Sequence, residues 1–292
     1  MVRLKKSIMV LIMIISIQIL VYAVFLRPDI MTWGATESEI SMKLAGDSTS
    51  PFMNSTRAII IHAPDTEVWK WLVQLGADRG GFYSYTFIEH LSGYDTDNTI
   101  KIVPEFQEMN VGRVVPSSRS GSKLNWRVLA VDPGKSFLLE GWGPFVIKKI
   151  DSETTRLIVR THGWQINSIT RIIVCAVMEP LHYIMEKRML MGIKARAEAG
   201  EGVELSSAPD YLWFFSVLLS FIGFVLMTFF FRNLQSIIMT SFFSLFWLWT
   251  LLIFDPQPVY STGLLLVIIA TSLWFRIKKP HQSKIPPFQK DH

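Results

Sequence analysis

The chain has 292 residues, half of them hydrophobic, with 29 Lys and Arg against 24 Asp and Glu and a single cysteine. This length allows one or two folded domains, and one cysteine excludes an intrachain disulfide framework. Residues 27–210 carry 20 Lys and Arg against 22 Asp and Glu, a balance of −2 within the total of +5. The basic excess therefore lies outside this central region, which argues against a nucleic-acid-binding domain.

Four uncharged apolar runs account for the hydrophobic excess: residues 7–26, 211–231, 233–254 and about 258–275. Each has about 20 residues, enough to cross a hydrocarbon core of about 30 Å as a helix. Basic residues precede the first run and follow the fourth, and Arg232 separates the second from the third. The positive-inside rule then places both termini in the cytoplasm and residues 27–210 outside it. The sequence predicts a multi-pass protein of the cell membrane with an extracytoplasmic domain.

The first run has a second interpretation. Val21 and Ala23 have the small-residue spacing of a signal-peptidase site, so residues 7–23 fit a cleaved signal peptide as well as an uncleaved anchor. The central region lies outside the cytoplasm in either case. The predicted organisation is an anchor at 1–27, a connector at 28–56, a domain at 57–205, a three-helix membrane segment at 211–275 and a cytoplasmic basic tail at 276–292.

The predicted domain begins with an isoleucine-rich strand at 57–62 and an amphipathic helix that starts at Pro64 and stops at Gly76. The next stretch, GADRGGFYSY at 76–85, combines two adjacent glycines with aromatic residues. Gly80 and Gly81 permit backbone angles that a Cβ would forbid, so a sharp turn is expected there. Tyr83, Phe87 and Leu91 are spaced by four residues, which predicts a second short helix.

Short strands follow at 114–116, 124–131, 137–142, 145–150 and 155–161, and a long helix closes the domain at 180–199. Alternation places Leu124, Trp126, Val128 and Ala130 on one face of their strand. In the last strand, Leu157, Val159 and Thr161 are predicted to face inward. Arg156 and Arg160 lie on the other side, which we expect to face water.

This order resembles the helix-grip fold of the START-like superfamily, also called SRPBCC, which includes polyketide cyclase-like proteins and lipid-transfer domains. The opening Ile61-His62-Ala63-Pro64 with Val68-Trp69 is similar to its usual first strand and helix. Four further segments resemble a membrane-anchored bacterial group within it: Trp33 to Thr36, Gly80 to Tyr85, Val103 to Glu105 and Glu179 to Arg196. The resemblance covers about residues 33–199 and implies an α+β fold, with a curved antiparallel sheet around a long C-terminal helix and a hydrophobic cavity between them. It implies no catalytic residues.

Candidate ligand-binding residues follow from this expectation. Aromatic side chains offer apolar area and, in Tyr and Trp, one polar group that orients a ligand. Asp78 and Arg79 would orient a polar head group at a pocket entrance, and Glu89 with His90 would form a weak acid–base pair. Ordinary core packing and local ion pairing remain the alternatives. The candidates are Asp78, Arg79, Tyr83, Tyr85, Glu89, His90, Trp126, Trp142 and Trp164.

Other chemistry is poorly supported. His62, His162 and His182 are too widely spaced for a zinc site, so no metal and no cofactor is expected. Ser84 is not in a nucleophile elbow, and the glycine pair lacks the lysine of a P-loop. The apolar runs contain no charged residue, which favours an anchor or a partner-contact bundle over a conduction path.

The sequence therefore predicts membrane-anchored binding or sequestration of a hydrophobic small molecule or lipid, without nucleic acid. One alternative is a cyclase- or dehydratase-like enzyme on a polyketide or isoprenoid-like substrate, with Tyr83, Glu89 or His90 as carriers. Convergence of these groups in a cavity would favour it. The other alternative is a structural or signalling module that contacts a membrane-protein partner, which an exposed apolar patch would favour.

Overall fold

The computed structural model describes residues 2–47, 55–121, 124–162, 177–230 and 233–277. It is an α+β protein with a six-stranded antiparallel sheet, as the alternating segments predicted. The chain divides into two compact units, Ile19–Asp210 and a second one composed of Met1–Gln18 and Tyr211–His292. We call the first the sheet unit and the second the membrane-helix unit.

The helices and strands have the following bounds. The chain begins with helix α1 (Val2–Val21), a π-helical turn (Tyr22–Leu26) and helix α2 (Arg27–Met31). The other helices before the C-terminal region are α3 (Glu37–Ser41), α4 (Asp65–Leu72), α5 (Thr86–Leu91) and α6 (Glu179–Ala199), with a 3-10 turn at Pro104–Phe106. The strands are β1 (Ser55–Ile61), β2 (Val114–Pro116), β3 (Asn125–Asp132), β4 (Ser136–Leu139), β5 (Gly143–Lys149) and β6 (Thr155–Thr161).

The sheet has the order β1-β6-β5-β4-β3-β2, and every neighbouring pair is antiparallel. Strands β2 to β6 form a meander. Strand β1 is the edge strand beside β6 and pairs with it, with Ser55 opposite Thr161. The inward-facing residues Leu157 and Val159 are fully buried, as the alternation predicted. Helix α6 packs on α4 and β1, so its apolar side chains Leu190 and Ile193 join the same core.

Strand β3 contains an irregularity that changes which residues face the core. Val128 pairs with Leu139 but Ala130 pairs with Leu138, so the register shifts between them. One extra residue in a strand reverses the side of every residue beyond it. Ala130 is therefore exposed, and Val131 packs against the core instead. The prediction that Ala130 shares the face of Trp126 and Val128 is wrong.

The outer side of β6 is covered rather than solvated, which corrects the prediction for its arginines. Arg160 is only 6% exposed. It donates hydrogen bonds to the backbone O of Glu39 (2.7 Å) and Met42 (2.7 Å) and pairs with Asp47 at 2.6 Å. Arg156 pairs with Glu39 at 2.7 Å. The connector thus supplies hydrogen-bond acceptors for both guanidinium groups. These acceptors take the place of the water that we expected around the two arginines.

Within the glycine–aromatic stretch, residues 76–81 form a loop whose two ends are hydrogen-bonded to each other. We call it the glycine loop. The backbone N and O of Gly76 bond to O and N of Gly81, at 3.1 and 3.0 Å, and Gly81 has a φ of +80°. Tyr83 also has a positive φ, +56°, and is fully buried. Helix α5 begins only at Thr86, so the predicted helical position of Tyr83 is wrong. Gly192 of helix α6 lies directly against Tyr83, so closely that a Cβ at this position would overlap the Tyr83 backbone O.

The membrane-helix unit contains α7 (Ala208–Phe230), α8 (Leu234–Leu252) and α9 (Pro258–Ile277). Four helices of the described chain are long and apolar enough to cross a membrane: these three and Ser7–Met31. This confirms the four predicted apolar spans by length and composition. Within the unit, Gln18 donates to the backbone O of Ser244 at 2.8 Å and Trp247 donates to that of Val217 at 2.8 Å. Phe224, Phe243 and Ile268 form its core.

Candidate functional site

The sheet unit contains a cavity of about 210 Å³. Its wall is built by the first three turns of α6, strands β3 and β6, helix α5 and the segment that follows the glycine loop. Its apolar lining consists of aromatic, leucine and methionine side chains: Phe82, Leu124, Trp126, Trp142, Met178, Leu181, Met185 and Met189. Its polar lining is smaller: Ser84, Glu89, Tyr94, Ser117, Thr161, His182 and Glu186.

Three aromatic rings form one side of the cavity. The Trp126 and Trp142 ring centroids are 4.8 Å apart, and Phe82 lies 5.7 Å from Trp126 and 6.1 Å from Trp142. Such tilted and edge-on pairs are favourable arrangements of π-systems. The chain brings them together because Phe82 leaves the glycine loop, Trp126 lies on β3 and Trp142 lies in the β4–β5 turn. This side presents a rigid apolar surface.

The opposite side is supplied by one face of α6. Leu181, Met185 and Met189 are four residues apart, and His182 and Glu186 follow the first two directly, so all five share a face. At the start of this helix, Met178 and Leu181 are 47% and 45% exposed, whereas Met189 and Glu186 are each 1% exposed. The cavity therefore opens at the first turn of α6 and is closed at its deeper end.

Glu186 is a fully hydrogen-bonded buried carboxylate. Its Oε1 accepts from Arg57 Nη1 at 2.6 Å, and its Oε2 accepts from Trp142 Nε1 at 2.9 Å and from Thr161 Oγ1 at 2.7 Å. Burial alone would raise its pKa, but Arg57 and these hydrogen bonds outweigh burial and hold the pKa below its ordinary value. The carboxylate therefore stays ionised and fixes Trp142 and Thr161 in the cavity wall.

His182 lies beside this carboxylate, with Nε2 3.6 Å from Glu186 Oε2 and its ring 5.8 Å from that of Trp142. Burial lowers the pKa of His182 and outweighs the opposing attraction of Glu186, and Arg57 adds a smaller lowering effect. The imidazole is therefore neutral at pH 7. It adds a polar but uncharged group to the lining.

Glu89 is the second carboxyl of the lining and has a different environment. Its side chain comes from α5 and the residue is 7% exposed. The hydroxyl of Thr96 donates to its Oε2. Burial raises the pKa of Glu89, against the smaller lowering effects of Thr96 and His90. Within the described residues Thr96 is its only side-chain hydrogen-bond donor, so Glu89 lacks the compensation that Glu186 has.

Three sequence-predicted candidates, Glu89, Trp126 and Trp142, line the cavity. Tyr83 and Tyr85 are core residues instead. The Tyr83 hydroxyl accepts from Gln74 Nε2 at 3.2 Å, and burial raises its pKa to about 12. Tyr85 is 1% exposed, with the Arg188 guanidinium 5.7 Å from its ring centroid.

The remaining candidates lie elsewhere. Asp78 pairs with Arg113 at 3.1 Å, and Arg79 donates to the backbone O of Phe106 and Glu108, both at 2.8 Å. His90 Nε2 lies 2.6 Å from the backbone O of Thr96. Trp164 lies outside the described residues. Asp78 and Arg79 thus make local structural contacts, and Glu89 and His90 point to different surroundings.

Sequence reasoning missed the polar groups that α6 and β6 bring to the cavity, namely His182, Glu186 and Thr161. One signal was present. His182 and Glu186 are one helical turn apart and directly follow Leu181 and Met185, two apolar residues of the helix predicted at 180–199. A charged residue beside an apolar stripe is a candidate for a buried polar contact.

No group of three His, Cys, Asp or Glu side chains that could hold a metal occurs among the residues that the structure describes. Of Tyr83, Glu89 and His90, only Glu89 lines the cavity. Tyr83, Glu89 and His90 therefore do not converge in this cavity.

Comparison with known proteins adds no relative: no protein-family model matches the chain, and no curated protein does.

Proposed function

We propose that the sheet unit binds a hydrophobic small molecule, or the apolar part of a lipid, and sequesters it from water. The observation that carries this proposal is the cavity itself, which is lined by three aromatic rings and three methionines and opens between Met178 and Leu181. Ligand sites are typically concave and mostly apolar, with a few placed polar groups. The cavity has this composition, with Glu89, His182 and Glu186 among its polar groups.

The size of the cavity limits what it can enclose. Its volume of about 210 Å³ is that of about seven liquid water molecules and lies below the roughly 300–1,000 Å³ of drug-sized sites. We therefore expect a single ring or one end of a longer chain to be enclosed. Burial of apolar ligand surface contributes about 25 cal/mol per Å², before the costs of ordering the ligand. Unbranched methionine side chains can adjust to the shape of a larger guest.

The proposal includes a fold and a location. The meandering sheet, the pairing of β1 with β6 and the long helix α6 support a helix-grip fold of the START-like type. The charge distribution around the apolar runs supports an extracytoplasmic position for the sheet unit. A membrane-anchored binding unit would exchange its ligand with the nearby bilayer, which serves as source or sink.

The test uses the intact protein, purified in lipid nanodiscs. Native mass spectrometry followed by organic extraction should find a hydrophobic molecule bound in stoichiometric amount. The variant Leu181→Trp places a large side chain at the cavity mouth and should reduce this occupancy at least severalfold. Leu91→Trp is the matched control, because Leu91 is 75% exposed on α5 and does not line the cavity.

The outcomes separate clearly. Loss of the ligand in Leu181→Trp with retention in Leu91→Trp supports the cavity as the binding site. An empty wild-type protein that also fails to take up added hydrophobic molecules contradicts the proposal. Equal occupancy in the two variants also contradicts the proposal, because a ligand whose occupancy does not change when the cavity mouth is blocked is bound elsewhere.

A further inference from the structure

The charges of the cavity lining restrict the chemistry of its ligand, on the basis of the function proposed above. The lining contains two carboxyl groups, Glu89 and Glu186, and one neutral imidazole, His182. None of the described lining residues is a lysine or arginine. Arg57 is not a lining residue and is bound to Glu186 at 2.6 Å. An anionic ligand group would therefore meet no free counter-ion among the described lining residues.

Glu186 cannot serve as the polar anchor for a ligand. Both of its oxygens already accept hydrogen bonds, from Arg57, Trp142 and Thr161. The hydroxyl of Thr161 is used in this way, and the hydroxyl of Ser84 donates to the backbone O of Met185 at 2.9 Å. The deeper end of the cavity is thus internally satisfied.

Glu89 is the exception. Among the residues described, its carboxyl receives one side-chain hydrogen bond, from Thr96, although the residue is more than nine-tenths buried. Its neighbour His90 is directed elsewhere, with Nε2 2.6 Å from the Thr96 backbone O and 3.7 Å from Asp97. A largely buried carboxyl with one such partner is stabilised when a further donor reaches it. Burial also raises the pKa of Glu89.

We propose that the cavity selects apolar ligands that carry a hydrogen-bond-donating amine or hydroxyl group, which binds the carboxyl of Glu89, and discriminates against carboxylates. A donor group supplies the missing partner of Glu89, and an ammonium group also supplies its counter-charge. A carboxylate would instead lose its hydration beside Glu89 without a compensating cation among the described lining residues.

The test uses four small probes with the same phenyl-ethyl or phenyl-methyl body: 2-phenylethylamine, 2-phenylethanol, phenylacetate and ethylbenzene. Their binding to the intact protein in nanodiscs is measured by saturation-transfer NMR, with Leu181→Trp as the blocked reference. Hydrogen bonds to charged groups predict that the amine binds about tenfold more tightly than phenylacetate. The alcohol should lie between them.

The variant Glu89→Gln assigns the effect to one residue. It keeps an acceptor for Thr96 but removes the charge, so the preference for the amine over phenylacetate should fall to about one. Binding of ethylbenzene should be unchanged, which shows that the cavity is intact. His90→Gln is the matched control, because it is adjacent on α5 and does not line the cavity.

The possible failures are distinguishable. If ethylbenzene does not bind to wild-type protein, the proposed cavity function fails, and this inference with it. If ethylbenzene binds but phenylacetate binds as tightly as the amine, the binding function stands and the selectivity for donors is overturned. A preference for the amine that survives Glu89→Gln also overturns the inference, because another group would then supply it.

Discussion

At the residue scale, the contact between Gly192 and Tyr83 joins the long helix to the glycine–aromatic loop. Tyr83 has a left-handed backbone, uncommon for a bulky residue, and the surrounding packing must maintain it. Its ring contacts Trp71 with centroids 6.0 Å apart, and the Arg196 guanidinium lies 4.6 Å from its centroid. The strained residue is thus held on several sides, while Phe82 and Ser84 beside it reach the cavity.

Gly192→Ala should therefore be strongly destabilising. The added methyl group overlaps backbone, which cannot rotate away, and overpacking of this kind costs about 1–3 kcal/mol or more. We expect a fall of several degrees in the melting temperature of the intact protein in detergent, measured by intrinsic fluorescence. Gly263→Ala is the control, because a Cβ at this helical glycine meets no atom within 4 Å. An unchanged melting temperature for Gly192→Ala would contradict the described packing of α6.

The residue scale also shows what sequence could predict about the site. Trp126, Trp142 and Glu89 were identified because an aromatic or acidic residue on a predicted strand or helix is visible locally. Tyr83 and Tyr85 were placed at the cavity by their position after the glycines. A positive φ at Tyr83 directs it into the core instead, and no local pattern specifies that angle.

At the element scale, the connector is a structural layer of the sheet unit. Helix α3 begins with a capping box in which Thr36 and Glu39 exchange hydrogen bonds. Glu39 also pairs with Arg156, and this hydrogen bond is the largest cause that lowers the pKa of Glu39 to about 2. The strands were predictable from alternation. The packing of the connector on β6 was not predictable, because it depends on ion pairs between residues more than 100 positions apart.

The depressed pKa of Glu39 makes the connector sensitive to acid. Because its folded value of about 2 lies below the ordinary 4.5, the stabilisation is complete above pH 4.5 and is lost as the pH falls toward 2. Glu39→Gln should lower the melting temperature at pH 7, and its difference from wild type should shrink progressively below pH 4.5. Glu37→Gln, an exposed position on the same helix, is the control. A difference that does not vary with pH would refute the ionic contribution of Glu39.

At the scale of the whole molecule, the chain combines a sheet unit that contains the cavity with helices able to cross a membrane. The spans were the most predictable part of the fold, because apolar length alone specifies them. The cavity was expected only because the sequence resembles the START-like superfamily. The cavity's buried carboxylate Glu186, on α6, accepts hydrogen bonds from Arg57 of β1 and Thr161 of β6, which are distant in sequence, and their meeting depends on the completed sheet.

The predicted orientation can be measured with reporter fusions in a bacterial host. Alkaline phosphatase inserted after Gly202 should be active, since it requires an extracytoplasmic location, and green fluorescent protein fused to the C-terminus should fluoresce in the cytoplasm. Exchanging the two reporters at the same sites provides the control and should abolish both signals. The reverse pattern would place the cavity on the cytoplasmic side and contradict the positive-inside argument.

The connector over β6 also has a consequence for how the chain can be cut. A fragment that starts at Ser55 would contain the whole sheet, yet it would remove four acceptors of the Arg160 guanidinium: the backbone O of Glu39, Ile40 and Met42 and the carboxylate of Asp47. Such a fragment would present a bare cationic strip to solvent. The smallest recombinant piece worth producing must therefore start upstream of Trp33, whose backbone O accepts from Ala58 of β1 at 3.0 Å.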